Sequence, residues 1–451
     1  MVEQDNWLPV LAADIRPAYT GIVDAMAADL DSGELRSGTR LLPQRKMAER
    51  LGLSVGTVAR AYAEAARRGL VSGEVGRGTF VSGGARAATQ GEPVDMSLNA
   101  PPETGAAAMI AAAMQDVARS GELAKLLDYM PHAGVPAHRS AMAAWLSATL
   151  GTSLSADRVV LCNGAQHGIA LGLMATLRPG DALLAEAFTY PGIAGIAERL
   201  GHSVHGVALD AEGLLPDALD AAFTATGARA LYCMPTLQTP TGVTMETARR
   251  EAIAAVLRRH DVWAIEDDVY AFLSPHARPA LATLAPERVL YVGSLAKCVA
   301  PSLRVGAMVV PDALRNRVNM ALRGTGWMAS PVLTAVAAQM LRSGAVAEQV
   351  ARKILVATQR WIMAHEILGS TPGLGAPAFH VWLTVDGSPA EITGDASRQG
   401  VVLAVPTMAS GAAPQGGLRL CLGAPRDMQD LRRGLEVVAQ ILRQGGGRAL
   451  V

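Results

Sequence analysis

The chain has 451 residues, half of them hydrophobic and 18% charged, with 40 basic and 40 acidic side chains. Such a composition excludes wholesale disorder and supplies apolar surface for two or three domains. A formal net charge of zero excludes a molecule-wide field directed at nucleic acid or membrane, so such partners must be sought in local clusters.

The opening stretch MVEQDNWLPV is acidic and lacks an apolar centre, so no signal peptide is expected there. No apolar run approaches the roughly 20 residues that cross a bilayer. Cys162, Cys233, Cys298 and Cys421 lie far apart with no C-x-x-C spacing, which suits a reduced, cytoplasmic protein better than a disulfide or zinc scaffold. His202 and His205 have no cysteine nearby and are read as surface or satisfied core residues; no metal is expected.

Between Arg36 and Ser82 nine basic residues face only Glu49, Glu64 and Glu74, a basic module within a neutral chain. RPAYTGIVDAMAADLDSG carries helical apolar spacing and stops at Gly33. LPQRKMAERLGL predicts a second helix, opened by Pro43 and closed by Gly52. SVGTVARAYAEAARRGL predicts a third, N-capped by Ser54 and closed by Gly69, with only a tight joint between the two. VSGEVGRGTFVS predicts a β-hairpin around Gly76-Arg77-Gly78. Three helices and a hairpin make a winged helix-turn-helix, although a helical cap with an Arg-rich solvated face would share much of the pattern. In the winged-helix reading the third helix enters the major groove. Arg45, Lys46 and the helix N-termini hold phosphates, and Arg77 reaches the minor groove from the hairpin tip.

The block LPQRKMAERLGLSVGTVARAYAEAARRGLVSGEVGRGTFV resembles the GntR-type winged helix, and double-stranded operator DNA is the partner this implies. Many GntR-type domains place a polar residue after the serine that opens the recognition helix. Here Val55 and Gly56 follow Ser54, so Thr57 and Arg60 are the expected polar contacts.

GGARAATQGEPVD, rich in glycine, alanine and polar residues, reads as a linker over 83–95, between a head at 1–82 and a body at 96–451. The body alternates apolar strand-like runs (RVVLCNG, ALLAEAF, SVHGVAL, ARALYCMP, VWAIEDD, RVLYVGS, GAMVVP) with Ala/Leu-rich helical stretches. That alternation predicts an α/β domain with a mainly parallel sheet covered on both faces. HVWLTVDG, VVLAVPTM and GLRLCLG, set among helices, predict a smaller C-terminal α+β subdomain.

Ligands of doubly wound sheets collect at the carboxyl ends of the strands. NGAQHG, with Gly164, Ala165 and Gln166, follows one run and suits a phosphate at a helix N-terminus, though glycine-rich turns are common. EDDVY follows another and sets Asp267 three residues from Tyr270; an apolar-flanked carboxylate needs a cation such as a protonated ring nitrogen, or else is a helix cap. SLAKCVAPSLRVG follows a third and holds Lys297 together with Ser294 and Arg304, whose hydroxyl and guanidinium are expected to contact the phosphate. A lysine in an apolar niche near another cation is a neutral nucleophile, whereas a solvated loop lysine is not. Only four of the 40 basic residues are lysines, so this placement is noteworthy. Together the three sites describe pyridoxal 5'-phosphate: a phosphate, a pyridinium nitrogen at Asp267, and an aldehyde condensed with Lys297.

Residues from about 95 to 445 resemble a fold type I, aspartate-aminotransferase-like domain, through S-x-x-K…R-x-G, EDDVY and LQTPTG. The resemblance implies that Lys297 forms the cofactor aldimine, Asp267 pairs with the ring nitrogen, and Tyr270 bonds the ring 3-hydroxyl. It further implies that Tyr190 stacks on the ring and Tyr129 reaches the phosphate of a partner subunit, making a homodimer. Arg419 would grip an effector's α-carboxylate. Thr239 stands where aminotransferases usually carry asparagine, which argues against efficient transamination. Winged helix, linker and aminotransferase-like domain, in that order, resemble the MocR-type regulators of the GntR family. The expected function is a transcriptional regulator that senses an amine, an amino acid or pyridoxal phosphate itself. The alternative is an active aminotransferase with an accessory DNA-binding domain.

Overall fold

A computed structural model describes residues 7–9, 18–32, 34–35, 39–67, 70–74, 78–81, 92–273, 278–369, 376–385, 388–405 and 417–444. The chain divides into two compact units, Met1–Pro93 and Val94–Val451. Arg77 and most of the expected linker lie outside the described residues.

In the first unit, helices α1 (Ala18–Ser32), α2 (Gln44–Leu51) and α3 (Val55–Arg67) precede a hairpin of β1 (Val71–Glu74) and β2 (Gly78–Val81). Gly52 adopts φ +65° and returns its N–H to the Ala48 and Glu49 carbonyls, so α2 ends where a residue with no Cβ penalty stands. Two residues later Ser54 Oγ accepts the Thr57 N–H at 3.1 Å and starts α3. Val58, Ala61, Tyr62 and Ala65 recur at helical spacing and pack with Ile22, Met26 and Met47 in one core. Tyr62 sends its hydroxyl to the Leu42 carbonyl at 2.7 Å, which lets a phenol sit in that core. One feature escapes the sequence pattern: Thr39–Leu41 adds a third short edge to the hairpin, through Leu41 N–H to Thr79 O at 2.9 Å and Val81 N–H to Thr39 O at 2.8 Å.

The strands of the second unit are β3 (Val94–Asp95), β4 (Val159–Cys162), β5 (Ala182–Glu186), β6 (Ser203–Val207), β7 (Leu209–Asp210), β8 (Gly213–Leu214), β9 (Ala230–Cys233), β10 (Trp263–Asp267), β11 (Val289–Ser294), β12 (Gly306–Val309), β13 (His380–Thr384), β14 (Val401–Val402) and β15 (Gly417–Cys421). All seven apolar runs become strands of one sheet, ordered β4-β12-β11-β10-β9-β5-β6. Only β12 runs against its neighbours. Between β11 and β12 lie only a one-turn helix, Leu295–Cys298, and the turn Pro301–Leu303, too little chain for the crossover a parallel strand requires. Strands β4, β9, β11 and β12 are buried at every position, because helices cover both faces with two separate apolar clusters.

A third cluster underlies the small subdomain, where β13 pairs antiparallel with β15 and β14 parallel with β3. Val94 and Asp95, expected at the end of the linker, therefore run as a strand of the second unit. All four cysteines are buried and unpaired. Among the described residues there is no cluster of potential metal ligands and no helix long and apolar enough to cross a membrane.

Candidate functional site

The carboxyl ends of β4, β9, β10 and β11 bring the three predicted motifs together. β10 ends at Asp267, which is buried with nothing charged bonded to it. Its Oδ2 accepts the Tyr232 hydroxyl at 2.8 Å, while Oδ1 has no partner. Burial pushes this carboxyl up to about 6, and the Tyr232 hydrogen bond opposes the shift. An orphaned buried oxygen on a carboxylate held in place by a phenol is an acceptor prepared for a cation.

Lys297 sits on the one-turn helix after β11, where Ser294 Oγ accepts the Ala296 N–H at 3.1 Å and donates to Val305 O at 3.2 Å. The Ser294 hydroxyl proton thus braces the lysine turn. Lys297 Nζ donates to the Asn99 carbonyl and lies 5.6 Å from the centre of the Tyr270 ring. Burial pushes the amine down to about 8, against the pull of Cys421 and Asp267 and with the help of Arg419. A substantial fraction is therefore neutral and nucleophilic near pH 8. Tyr270 is buried beside it and hydrogen-bonded to the Thr239 side chain, with its phenol pushed up by burial.

The glycine turn after β4 forms a cradle. Gly164 has φ +80° and caps the helix Ala165–Thr176. A Cβ on it would lie 2.9 Å from Arg304 Nη2, and one on Gly306 would lie 2.8 Å from the Gly164 carbonyl carbon. Arg304 itself holds φ +52° and donates to Asn163 O at 2.9 Å. Its guanidinium is thereby laid against a positive helix end, with Gln166 exposed on the first turn.

Tyr190 stands half-buried at the start of the helix Pro191–Arg199; burial first, then the Asp267 charge, push its phenol up. Its ring lies over Gly192, where a Cβ would be 2.3 Å from a ring carbon. Arg419 projects from β15, donates through Nη2 to Ser97 O at 2.6 Å, and keeps a buried, unpartnered Nε. Tyr129 is not brought to this site within the chain; it is 78% exposed, its ring edge-on to Trp327 at 5.7 Å.

Several neighbours carry no local motif. Glu186, at the end of β5, accepts from Gln238 Nε2 at 3.1 Å and from Met234 N–H at 3.3 Å, and burial pushes it up to about 8. Gln238 in turn donates to Phe188 O at 2.6 Å and accepts the Thr241 hydroxyl at 2.7 Å, tying the Tyr190 loop to the Thr239 turn. His380 is pushed down to about 4 by burial and is therefore neutral. Its Nε2 donates to Gln238 O at 3.1 Å, which makes Nδ1 the acceptor for Asn99 Nδ2 at 3.2 Å. Tyr232 was the detectable member of this set, a lone phenol in an aliphatic strand.

On the first unit, Arg45 and Lys46 are exposed on α2, and Arg60 is exposed on α3 with its guanidinium 5.5 Å from the Tyr19 ring centre. Ser54 and Thr57 engage each other at 2.8 Å at the start of α3.

A sheet of this order with lysine, aspartate and a glycine–arginine cradle at its carboxyl edge defines a cofactor-binding protein of the aminotransferase fold. Residues 92–438 match the family model for aminotransferase class I and II, and the chain belongs to that family. Residues 18–81 match the model for bacterial regulatory proteins of the gntR family, so the whole is built as a MocR-type GntR regulator. The HTH-type transcriptional regulator YdeF of Bacillus subtilis (strain 168) is 27% identical over 97% of both chains. The probable rhizopine catabolism regulatory protein MocR of Rhizobium meliloti is 26% identical, covering 75% of this chain and 74% of its own. The pyridoxine biosynthesis regulator PdxR of Corynebacterium glutamicum is 27% identical, over 75% and 76%. The kynurenine aminotransferase of Pyrococcus horikoshii superposes with a TM-score of 0.72 at 22% identity, covering 79% of this chain and 92% of that one, which establishes the fold.

Pyridoxal phosphate is the cofactor this family indicates, and the residues fit it. Asp267 Oδ1 lacks a partner, a Cβ at 306 would strike the Gly164 backbone, φ +80° at Gly164 strains any side chain there, and Lys297 has a depressed amine pKa.

Proposed function

We propose that the protein is a DNA-binding transcriptional regulator whose cofactor domain senses a small amine or amino acid. Residues 1–82 act as the DNA-binding head and 96–451 as the sensor. The supporting observation is the coexistence, in one chain, of exposed Arg45, Lys46 and Arg60 on the winged-helix head with Lys297 and Asp267 in the cofactor domain. Bound pyridoxal phosphate supplies an electrophilic aldehyde and an electron-poor ring. Asp267 holds a proton on the ring nitrogen through its free Oδ1, Arg304 and the Ala165 and Gln166 amides hold the phosphate, and Tyr190 covers the ring. Tyr270, bonded to Thr239, orients the ring oxygen, and the Nε edge of Arg419 takes an effector's carboxylate. An effector shifts DNA affinity only through a difference in its affinity for two arrangements of the protein.

The exposed Tyr129 supports a homodimer in which it reaches the partner's phosphate site. The same reading places the protein in the cytoplasm, with operator DNA. Pyridoxal phosphate itself can serve as the signal in place of an amine. Thr239 in the asparagine position disfavours turnover, so transamination is secondary. The test is a spectral titration of the cofactor-loaded protein against a panel of amines and amino acids, paired with operator binding under the same ligands. A band that appears with cofactor, is abolished by Lys297→Ala, and moves together with DNA affinity is expected. A colourless protein after cofactor addition overturns the reading, and steady ketoacid production favours the enzyme.

A further inference from the structure

Residues 94–104 open the second unit and lie along both cations assigned to the ligand. Val94 and Met96 donate N–H to Gly400 O and Val402 O, each at 2.9 Å, and Met96 O accepts the Cys421 N–H at 3.0 Å. Beyond this strand the segment is held by three of its own carbonyls and by the Asn99 amide, whose Nδ2 donates to His380 Nδ1 at 3.2 Å. Ser97 O accepts Arg419 Nη2 at 2.6 Å and Cys421 Sγ at 3.5 Å. Asn99 O accepts Lys297 Nζ, and Pro102 O accepts the Nζ of the buried Lys353. A Cβ on Gly423 would lie 2.0 Å from Ala100 O, so the segment fits tightly against the subdomain there. Gln349 Nε2 donates to the Thr104 hydroxyl at 2.6 Å. Covalently, this strap is also where the sensor meets the chain that leads to the winged helix.

We propose that the strap at Ser97–Asn99 is the element through which the ligand is read, and that the two ends of an α-amino acid act on it through two different cations. The proposal rests on the roles assigned above to Lys297 and Arg419. When an amine displaces Lys297 at the cofactor aldehyde carbon, the new carbon–nitrogen double bond forms as the bond to Lys297 breaks. The two hydrogens of the incoming primary amine end on Nζ. The freed amine is the group that grips Asn99 O. Arg419 presents an unpartnered Nε beside an Nη2 that is engaged by Ser97 O, and a carboxylate binds such an edge in bidentate fashion. Taking that edge draws the guanidinium off the Ser97 carbonyl.

A ligand with only an amine adds the Asn99 anchor and leaves Ser97 held. A ligand with only a carboxylate does not release Lys297. An α-amino acid does both, moving the anchor two residues along the strap. The effector class is accordingly a zwitterionic α-amino acid rather than a simple amine.

Amide hydrogen exchange of the full-length protein tests this with two stable adducts, N-(5'-phosphopyridoxyl)-L-alanine and N-(5'-phosphopyridoxyl)ethylamine, beside pyridoxal phosphate. Both adducts leave Lys297 free, and they differ in the carboxylate alone. Relative to pyridoxal phosphate, the ethylamine adduct is expected to slow exchange in the peptide spanning 94–104. Relative to the ethylamine adduct, the alanine adduct is expected to speed it by about threefold or more, and Arg419→Gln to remove that difference. Equal exchange with both adducts retained on the protein overturns the strap proposal and leaves the cofactor site standing. Failure of the protein to retain either adduct overturns the cofactor site, and the strap proposal with it.

Discussion

Tyr232 and Asp267 stand on neighbouring strands with the phenol 2.8 Å from Oδ2, and this contact leaves Oδ1 as the carboxylate's free oxygen. Tyr232→Phe removes a hydrogen bond to a buried charge, worth about 2 kcal/mol. Pyridoxal phosphate affinity should fall about tenfold or more, as read by equilibrium dialysis, with the fold unchanged by circular dichroism. Wild-type affinity in Tyr232→Phe would deny the phenol this positioning role.

The pH dependence follows from the same carboxyl. Burial raises Asp267 from 3.8 to about 6, so between those values the folded state holds a proton that the unfolded state has lost. Stability of the cofactor-free protein is then greatest below about 4 with respect to this group, and about 3 kcal/mol is lost as pH rises through 6. Glu186 acts in the same direction up to about 8. A ring-nitrogen cation offsets the Asp267 part. The rise in melting temperature on adding pyridoxal phosphate should therefore be larger at pH 7.5 than at pH 5, and an equal rise would contradict the pairing.

Lys297 gives a kinetic counterpart. Its amine titrates near 8 because it is desolvated, so the rate of cofactor condensation should climb as pH approaches 8 and level off above it. Stopped-flow absorbance measures the profile. A rate still climbing steeply at pH 10, as for an exposed lysine, would contradict the burial argument.

Gly164→Ala places a Cβ 2.9 Å from Arg304 Nη2 in a backbone of φ +80°. Such a conformation costs a non-glycine residue about 1–3 kcal/mol. Lower melting temperature together with weaker retention of inorganic phosphate and of pyridoxal phosphate is expected, whereas Gly180→Ala, which meets nothing within 4 Å, should leave phosphate retention unchanged.

On the DNA side, Arg45→Ala and Lys46→Ala each remove one exposed cation from α2. Affinity should drop for all sequences alike, and the slope of log affinity against log salt should become shallower by about 1 for each. Fluorescence anisotropy over a salt series reads the slope, and an unchanged slope would place these residues away from phosphates.

Much of the fold was legible because burial leaves a pattern, and strands covered on both faces read as continuous apolar runs. Seven apolar runs became the seven sheet strands, and the helix expected after Ser54 is α3, Val55–Arg67. The gathering of Lys297, Asp267 and Tyr270 at one edge of the sheet was legible for a related reason: each stands at or just after a strand end, where α/β sheets gather their ligands. Reversal of β12 and the third edge at Thr39–Leu41 were not legible, since the first depends on the reach of a short connection and the second on backbone pairing that any side chain permits.

What the order of residues determined by itself was which groups are available: a rare lysine, a carboxylate in apolar company, glycines that admit an arginine, and a basic head ahead of a neutral body. What tertiary structure alone decided was which of those groups are left unsatisfied. Lys297 meets a carbonyl 198 residues away and Arg419 one 322 residues away. Those acceptors are main-chain oxygens, identical in every residue type, so no sequence pattern marks them. Only packing selects which carbonyl faces which cation, and thereby which hydrogen-bonding atoms remain for a ligand.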